Sequence, residues 1–172
     1  MLALFISIDS KGGIFYKQVR IGKNLKPFQL YKFRSMSIGA DKIGLLTVGN
    51  NDSRITKIGY YLRKYKLDEL PQLINVIIGN MSIVGPRPEV EKYVKLYNKE
   101  QLHVLSVKPG ITDWASIKYV NENEILAKSE HPEKTYINEI MPAKLKLNLA
   151  YVAHHNLGVD IKIILLTIKA VF

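Results

Sequence analysis

The hydrophobic period of this chain changes between residues 36 and 55, and neither an all-α nor an all-β fold accommodates both sides of the change. Before it, IFYKQVRIG and KPFQLYKFRSM alternate apolar and polar residues over much of their length, with Gly22-Lys23-Asn24 as a turn between them. Residues 14–36 are therefore predicted to form an antiparallel β-hairpin. After it, Ile58, Tyr61, Leu62 and Tyr65 recur at helical spacing, with Lys57, Arg63, Lys64 and Lys66 between them. Residues 37–53 are rich in Gly, Asn, Asp and Ser and carry no sustained period, which predicts a long loop of the kind that is often functional. The fold class that follows is α+β: a helix-rich single domain over residues 1–172, with an N-terminal antiparallel β-hairpin and amphipathic surface helices.

Proline punctuates the rest of the chain. It is tolerated in the first turn of a helix and not in its interior, so Pro71 within LDELPQLINVIIGNM predicts a new helix opening near Asp68 and ending around Gly79-Asn80. SIVGPRPEV is predicted as loop, with a helix starting at Pro88-Glu89-Val90 and running to about Leu105. KPGITDW is a second Pro/Gly turn, and residues 133–153 are helical with a break at Pro142. The ending VDIKIILLTIKAVF is a mostly apolar helix interrupted by Lys162 and Lys169. Its residues Ile161, Ile164, Leu165 and Ile168 suit either a core face or a membrane face.

Composition narrows the partners. A formal charge of +10 favours anionic ones: nucleic acid, nucleotides or an anionic membrane surface, although a solubilising surface accounts for charge alone. With no cysteine there is no disulfide framework, thiolate metal site or cysteine nucleophile. The four histidines, His103, His131, His154 and His155, lack metal-ligand spacing. The opening run MLALFISI would span about 12 Å as a helix, against a bilayer core of about 30 Å, so it cannot cross. It also lacks the basic start and cleavage site of a signal peptide.

Asp68-Glu69 is the first candidate for chemistry. Two carboxylates near a helix start lie in the positive end of the peptide dipole, which favours their ionised form and also favours phosphate. An ionised aspartate can attack phosphorus, and an adjacent glutamate can help hold a divalent cation. Helix capping explains the same dipeptide more plainly. The basic residues change the balance. Lys32 and Arg34 are one residue apart at the end of the second strand, hence on one face, Arg63 lies five residues before Asp68, and Arg87 sits between two prolines. Each could be an ordinary surface cation, but three cationic segments around an acidic pair suggest a diphosphate site with a carboxylate nucleophile.

KQVRIGKNLKPFQLYKFRSM, RITKIGYYLRKYKLDELPQLINVIIGNMSIVGPRPE and KPGIT together resemble the motifs of the bacterial sugar transferase family, the monotopic polyprenyl-phosphate phosphoglycosyl transferases that initiate glycan assembly on a lipid carrier. The resemblance is strong over about residues 10–115, and the apolar ending fits it. It implies a two-step transfer in which the residue matching Asp68 attacks a UDP-sugar, releases UMP and passes the phosphosugar to polyprenyl phosphate. Glu69 would ligate magnesium, while Lys32, Arg34, Arg63 and Arg87 would face substrate phosphate. The resemblance further implies the cytoplasmic face of the bacterial inner membrane, in peripheral or monotopic attachment, and downstream glycosyltransferases as partners.

Two departures accompany the match. Members normally open with a longer apolar segment that dips into the membrane and returns, so residues 1–8 are read as a remnant of it. After KPGIT the family pattern is Gly-Trp-Ala-Gln followed by Asn-Gly-Arg, whereas this chain has Asp113, Trp114, Ala115 and Ser116, then Lys118-Tyr119-Val120-Asn121. No role transfers to that segment. The rival readings are a catalytically impaired relative that binds membrane or partner enzymes, which the intact Asp68, Glu69 and Arg87 oppose, and a nucleic-acid-binding module suggested by charge and ten tyrosines. The preferred reading has no nucleic-acid partner.

Overall fold

The computed structural model describes residues 2–9, 12–49 and 52–171. Met1 of the opening apolar run, Asn50 and Asn51 of the predicted loop and Phe172 of the terminal helix lie outside the described residues. The strands are β1 (Phe15–Ile21), β2 (Pro27–Phe33), β3 (Ser82–Val84) and β4 (Gly110–Thr112). The helices are α1 (Leu2–Asp9), α2 (Ala40–Ile43), α3 (Lys57–Lys64), α4 (Gln72–Ile77), α5 (Glu91–Val94), α6 (Trp114–Lys118), α7 (Glu122–Ala127), α8 (Pro132–Thr135), α9 (Met141–His154) and α10 (Leu157–Val171). The fold is α+β and helix-rich.

The hairpin forms where the alternation places it. β1 and β2 pair antiparallel from Phe15 opposite Phe33 to Ile21 opposite Pro27, and the turn is a 3-10 segment at Lys23–Leu25. The long loop contains the single turn of α2 and is organised by Arg54, whose guanidinium donates to the carbonyls of Ala40, Gly44 and Leu46 and to the Asp52 carboxylate. α3 starts at Thr56, whose hydroxyl accepts from Gly59 N at 3.0 Å. Gly59 is required there, because a Cβ would collide with the carbonyl of Ser35. That close approach seats α3 against the end of β2.

Three predicted boundaries shift. SIVGPRPEV and KPGITDW are not wholly loop: Ser82–Val84 and Gly110–Thr112 pair as a parallel β3–β4 ladder too short to show a period. The helix predicted from Pro88 to about Leu105 stops after α5. It stops because Asn98 and Gln101 cap one another reciprocally, Asn98 N donating to Gln101 Oε1 at 2.9 Å and Gln101 N to Asn98 Oδ1 at 2.8 Å, which starts a separate 3-10 segment at Gln101–Ser106. Over 133–153 the expected break takes the form of a π-helical turn at Tyr136–Ile140 directly before Pro142, which absorbs the missing N–H without ending the helix.

Two buried clusters hold the helical half. Val90, Tyr93, Val104, Leu126, Tyr136, Ile140, Met141 and Leu145 form one around the start of α9, and Val84, Tyr151 and Ile163 form the other where α9 and α10 meet β3. The segment between β3 and α5, which carries Arg87, therefore connects two packed regions. On α10 the buried residue is Ile163, while Leu157, Ile161, Leu165 and Ile168 form an exposed stripe. Of the four residues named above for a core or membrane face, Ile161, Leu165 and Ile168 thus turn outward, and Ile164 packs partly against the second cluster. No helix among the described residues is long and apolar enough to cross a membrane.

Candidate active site

Asp68 and Glu69 lie in a 3-10 turn, Leu67–Glu69, that joins α3 to α4. Lys66 adopts a left-handed backbone, φ 54°, which ends α3 and redirects the chain. The helix predicted to open near Asp68 does so, but as i to i−3 bonds: Glu69 N to Lys66 O and Leu70 N to Leu67 O, both 3.2 Å. Pro71 follows with helical φ/ψ where its missing N–H does no harm, and α4 continues to Ile77. Asn75, fully buried on α4, fixes this unit to β2 by donating to Gln29 O at 2.7 Å and accepting from Tyr31 N at 3.0 Å. The next residue on that strand, Lys32, is thereby held over Glu69.

Glu69 is gripped from two sides. Lys32 Nζ donates to Oε1 at 3.0 Å, while Arg87 approaches with both terminal nitrogens, Nη1 to Oε2 at 3.0 Å and Nη2 to Oε1. This is the two-pronged geometry that guanidinium groups favour. Arg87 comes from the Pro86-Arg87-Pro88 loop, fastened to the hairpin by Ile21 N donating to Glu89 O at 2.9 Å and by Arg20 Nη1 donating to Pro88 O at 3.0 Å. The Glu89 carboxylate accepts from Arg20 at 3.0 Å and from the Tyr136 hydroxyl. Across the loop, Asp113 Oδ2 accepts from Arg87 N at 3.1 Å and Oδ1 from Ser116 N at 2.6 Å.

The two carboxylates differ in charge environment although adjacent in sequence. Asp68 is 4% exposed, and its buried Oδ1 has no hydrogen-bond partner among the described residues. Burial raises its pKa above the ordinary 3.8, with Lys32 opposing, Glu69 adding and Arg63 and Lys66 opposing. For Glu69 burial pushes upward too, but Arg87 and Lys32 outweigh it and hold the carboxyl well below its ordinary value. Burial lowers the Lys32 pKa, and Glu69 counteracts this only in part. The site thus pairs a carboxylate held by two cations with a more basic, under-coordinated one.

Lys32, Arg34, Arg63, Asp68, Glu69 and Arg87 line one cleft of about 1030 Å³. Of these, Lys32, Glu69 and Arg87 touch directly. Arg63 acts on Asp68 through charge while its guanidinium donates to Thr47 Oγ1 at 3.0 Å. Arg34 is 7% exposed, its guanidinium packed against Gly12 so closely that a side chain there would collide with it. The sequence reading missed Asn75, Glu89, Tyr136 and Asp113. Only Asp113 had a local signal, an aspartate three residues before Ser116 at a helix start.

The donor set fits a divalent cation that arrives with phosphate. Among the described residues no group of three or more carboxylate or histidine side chains could hold a metal alone. Magnesium, however, takes one or two carboxylates and completes its shell with water and phosphate oxygens. Among the described residues Asp68 Oδ1 has no hydrogen-bond partner, and Glu69 accepts three hydrogen bonds where a carboxylate has about four lone-pair sites.

The model of the bacterial sugar transferase family matches residues 1–172. The chain is 38% identical over 172 residues to the UDP-glucose:undecaprenyl-phosphate glucose-1-phosphate transferase of Escherichia coli (strain K12), covering 97% of this chain and 34% of that protein. It is 40% identical over 158 residues to the uncharacterized sugar transferase EpsL of Bacillus subtilis (strain 168), covering 92% and 69%. It is 31% identical over 175 residues to the UDP-N-acetylgalactosamine-undecaprenyl-phosphate N-acetylgalactosaminephosphotransferase of Aeromonas hydrophila, covering 98% and 38%. The chain thus spans little more than a third of the first and third of these relatives.

Proposed function

We propose, from the premise that this chain belongs to the bacterial sugar transferase family, that it transfers a sugar 1-phosphate from a UDP-sugar to a polyprenyl phosphate through an aspartyl-phosphosugar intermediate. The observation that carries this reading is the contrast within Asp68-Glu69. Glu69 is neutralised by Arg87 and Lys32, whereas Asp68 beside it has a carboxylate oxygen with no partner among the described residues and a raised basicity. A carboxylate in that condition is a stronger nucleophile than a hydrogen-bonded one.

In the first step an Asp68 carboxylate oxygen bonds to the sugar-linked phosphorus, and the bond from that phosphorus to the bridging oxygen breaks, releasing UMP. In the second, an oxygen of polyprenyl phosphate bonds to the same phosphorus and the Asp68 carboxylate leaves. Arg87, Lys32, Arg34 and Arg63 supply positive charge for the oxygens on which negative charge grows. Glu69 is the group that would hold magnesium, which when bound offsets charge on the diphosphate. Glu69 also fixes Arg87 and Lys32 in place before substrate arrives.

The acceptor is a lipid, and an apolar surface adjoins the site. α1 packs on α3 and α3 on the Asp68 turn; α1 and α3 expose Leu4, Ile8 and Tyr61 with the cations Lys57 and Lys64, and α4, which follows the turn, exposes Leu73, Ile74 and Ile77. Apolar burial and attraction to anionic headgroups reinforce each other on such a surface. It supports action at a membrane surface; the cytoplasmic side, and glycosyltransferases acting on the product, belong to the same proposal. The test is UMP release from a panel of UDP-sugars with polyprenyl phosphate and magnesium. Release that requires Asp68 supports the reading, and a folded protein that releases none on vesicles favours a non-catalytic relative.

A further inference from the structure

Arg87 sits on a loop between two prolines, so no ladder of backbone hydrogen bonds runs through its own residue. Something else must fix its backbone if the guanidinium is to meet Glu69 in two-pronged fashion. The flanking residues are laced to the β4 segment, Gly85 N donating to Thr112 O and Gly110 N to Pro86 O, each at 3.0 Å. The contact to Arg87 itself is its backbone N–H donating to Asp113 Oδ2 at 3.1 Å.

Asp113 is fully buried, at 0% exposure. Its other oxygen accepts from Ser116 N at 2.6 Å and caps α6. Capping alone does not call for a buried charge, since serine, threonine or asparagine caps as well without the desolvation penalty. A carboxylate is needed where two backbone N–H groups from different segments must be held at once, one by each oxygen.

We propose that Asp113 is the positioning residue of Arg87, its carboxylate tying the Pro-Arg-Pro loop to the start of α6 so that the guanidinium stands ready for Glu69 and substrate phosphate. The substrate half of this statement rests on the function proposed above. The structural half does not.

The test is Asp113→Ser, which keeps an acceptor for Ser116 N and removes the second oxygen that reaches Arg87. The variant should retain helical circular dichroism, and exchange of the Arg87 amide proton should accelerate relative to wild type. The kcat for UMP release should fall roughly 10- to 100-fold, the size expected when a reacting group is displaced by about an ångström. In an Arg87→Ala background, which keeps the backbone N–H but removes the guanidinium, the same substitution should change kcat by no more than about 2-fold, because its effect on the rate runs through that side chain. Full multiplicative loss in that background, or unchanged Arg87 exchange in the folded variant, overturns the proposal. If the serine variant does not fold, Asp113→Asn, which keeps one acceptor oxygen, enters the same cycle and exchange comparison. If wild type releases no UMP, the proposed reaction falls and the exchange comparison alone decides the role of Asp113.

Discussion

Glu69 anchors Lys32 and Arg87 with the same oxygens that the proposed reaction would use. Its carboxyl is held well below the ordinary value of 4.5, burial being outweighed by Arg87 and Lys32. A depressed carboxyl contributes stability that is fully present above its unfolded-state pKa and is lost as pH falls through the folded one. The stability advantage of wild type over Glu69→Gln, measured by urea unfolding, should therefore be constant from pH 7 down to about 5 and shrink below 4.5. A gap that stays constant down to pH 3 would mean Glu69 is not the anchor of the cluster. In activity, the same substitution should lower the rate and weaken its dependence on magnesium, and full wild-type activity in a chelator would exclude a metal role for this carboxylate. The acidic pair and its cations were legible in the sequence because each is a charged residue beside a turn signal. Asn75 was not, since a buried polar side chain is recognised by its partners, and those lie 44 and 46 residues away; Asp113 carried a capping signal, but its tie to Arg87, 26 residues away, was not visible.

Among the elements, the hairpin, α3, the Pro71-led helix and α10 could be read because each sustains its period or carries a proline or cap. β3 and β4 could not, being three residues each and joined across the intervening α5 region. Their pairing depends on glycine. A Cβ on Gly110 would collide with the backbone of Gly85, and one on Gly85 would crowd Lys108 O. Gly110→Ala should therefore destabilise the protein by about 1–3 kcal/mol, the usual penalty of overpacking, read as a lowered urea midpoint with unchanged slope. The loss should also reach activity, because this ladder carries both ends of the Arg87–Asp113 contact. An alanine variant as stable as wild type would show that the two backbones can separate cheaply.

At the scale of the molecule, the Asp68-Glu69 turn lines a polar cleft and leads into α4, whose Leu73, Ile74 and Ile77 are exposed, and that arrangement suits the proposed pairing of one substrate from water with another from lipid. Ile77 is 84% exposed on that helix and takes no part in the cleft. Flotation on anionic vesicles should be salt-sensitive, and Ile77→Glu should weaken it roughly 10- to 100-fold, in line with about 1.5–3 kcal/mol for burying one large aliphatic side chain. Equal flotation of the variant would move the membrane contact elsewhere, for instance to the exposed stripe on α10. The overall α+β class was legible in the change of period, but which apolar residues face outward was not, because helix periodicity identifies a face without saying what covers it. The measurement that tests the whole most directly is intact-protein and peptide mass spectrometry after incubation with a UDP-sugar and magnesium, without polyprenyl phosphate. A mass increase of one phosphosugar on the peptide containing Asp68, absent from a folded Asp68→Asn variant, is the predicted result. The phosphosugar on another residue, or an Asp68→Asn variant with near-normal turnover, would contradict it.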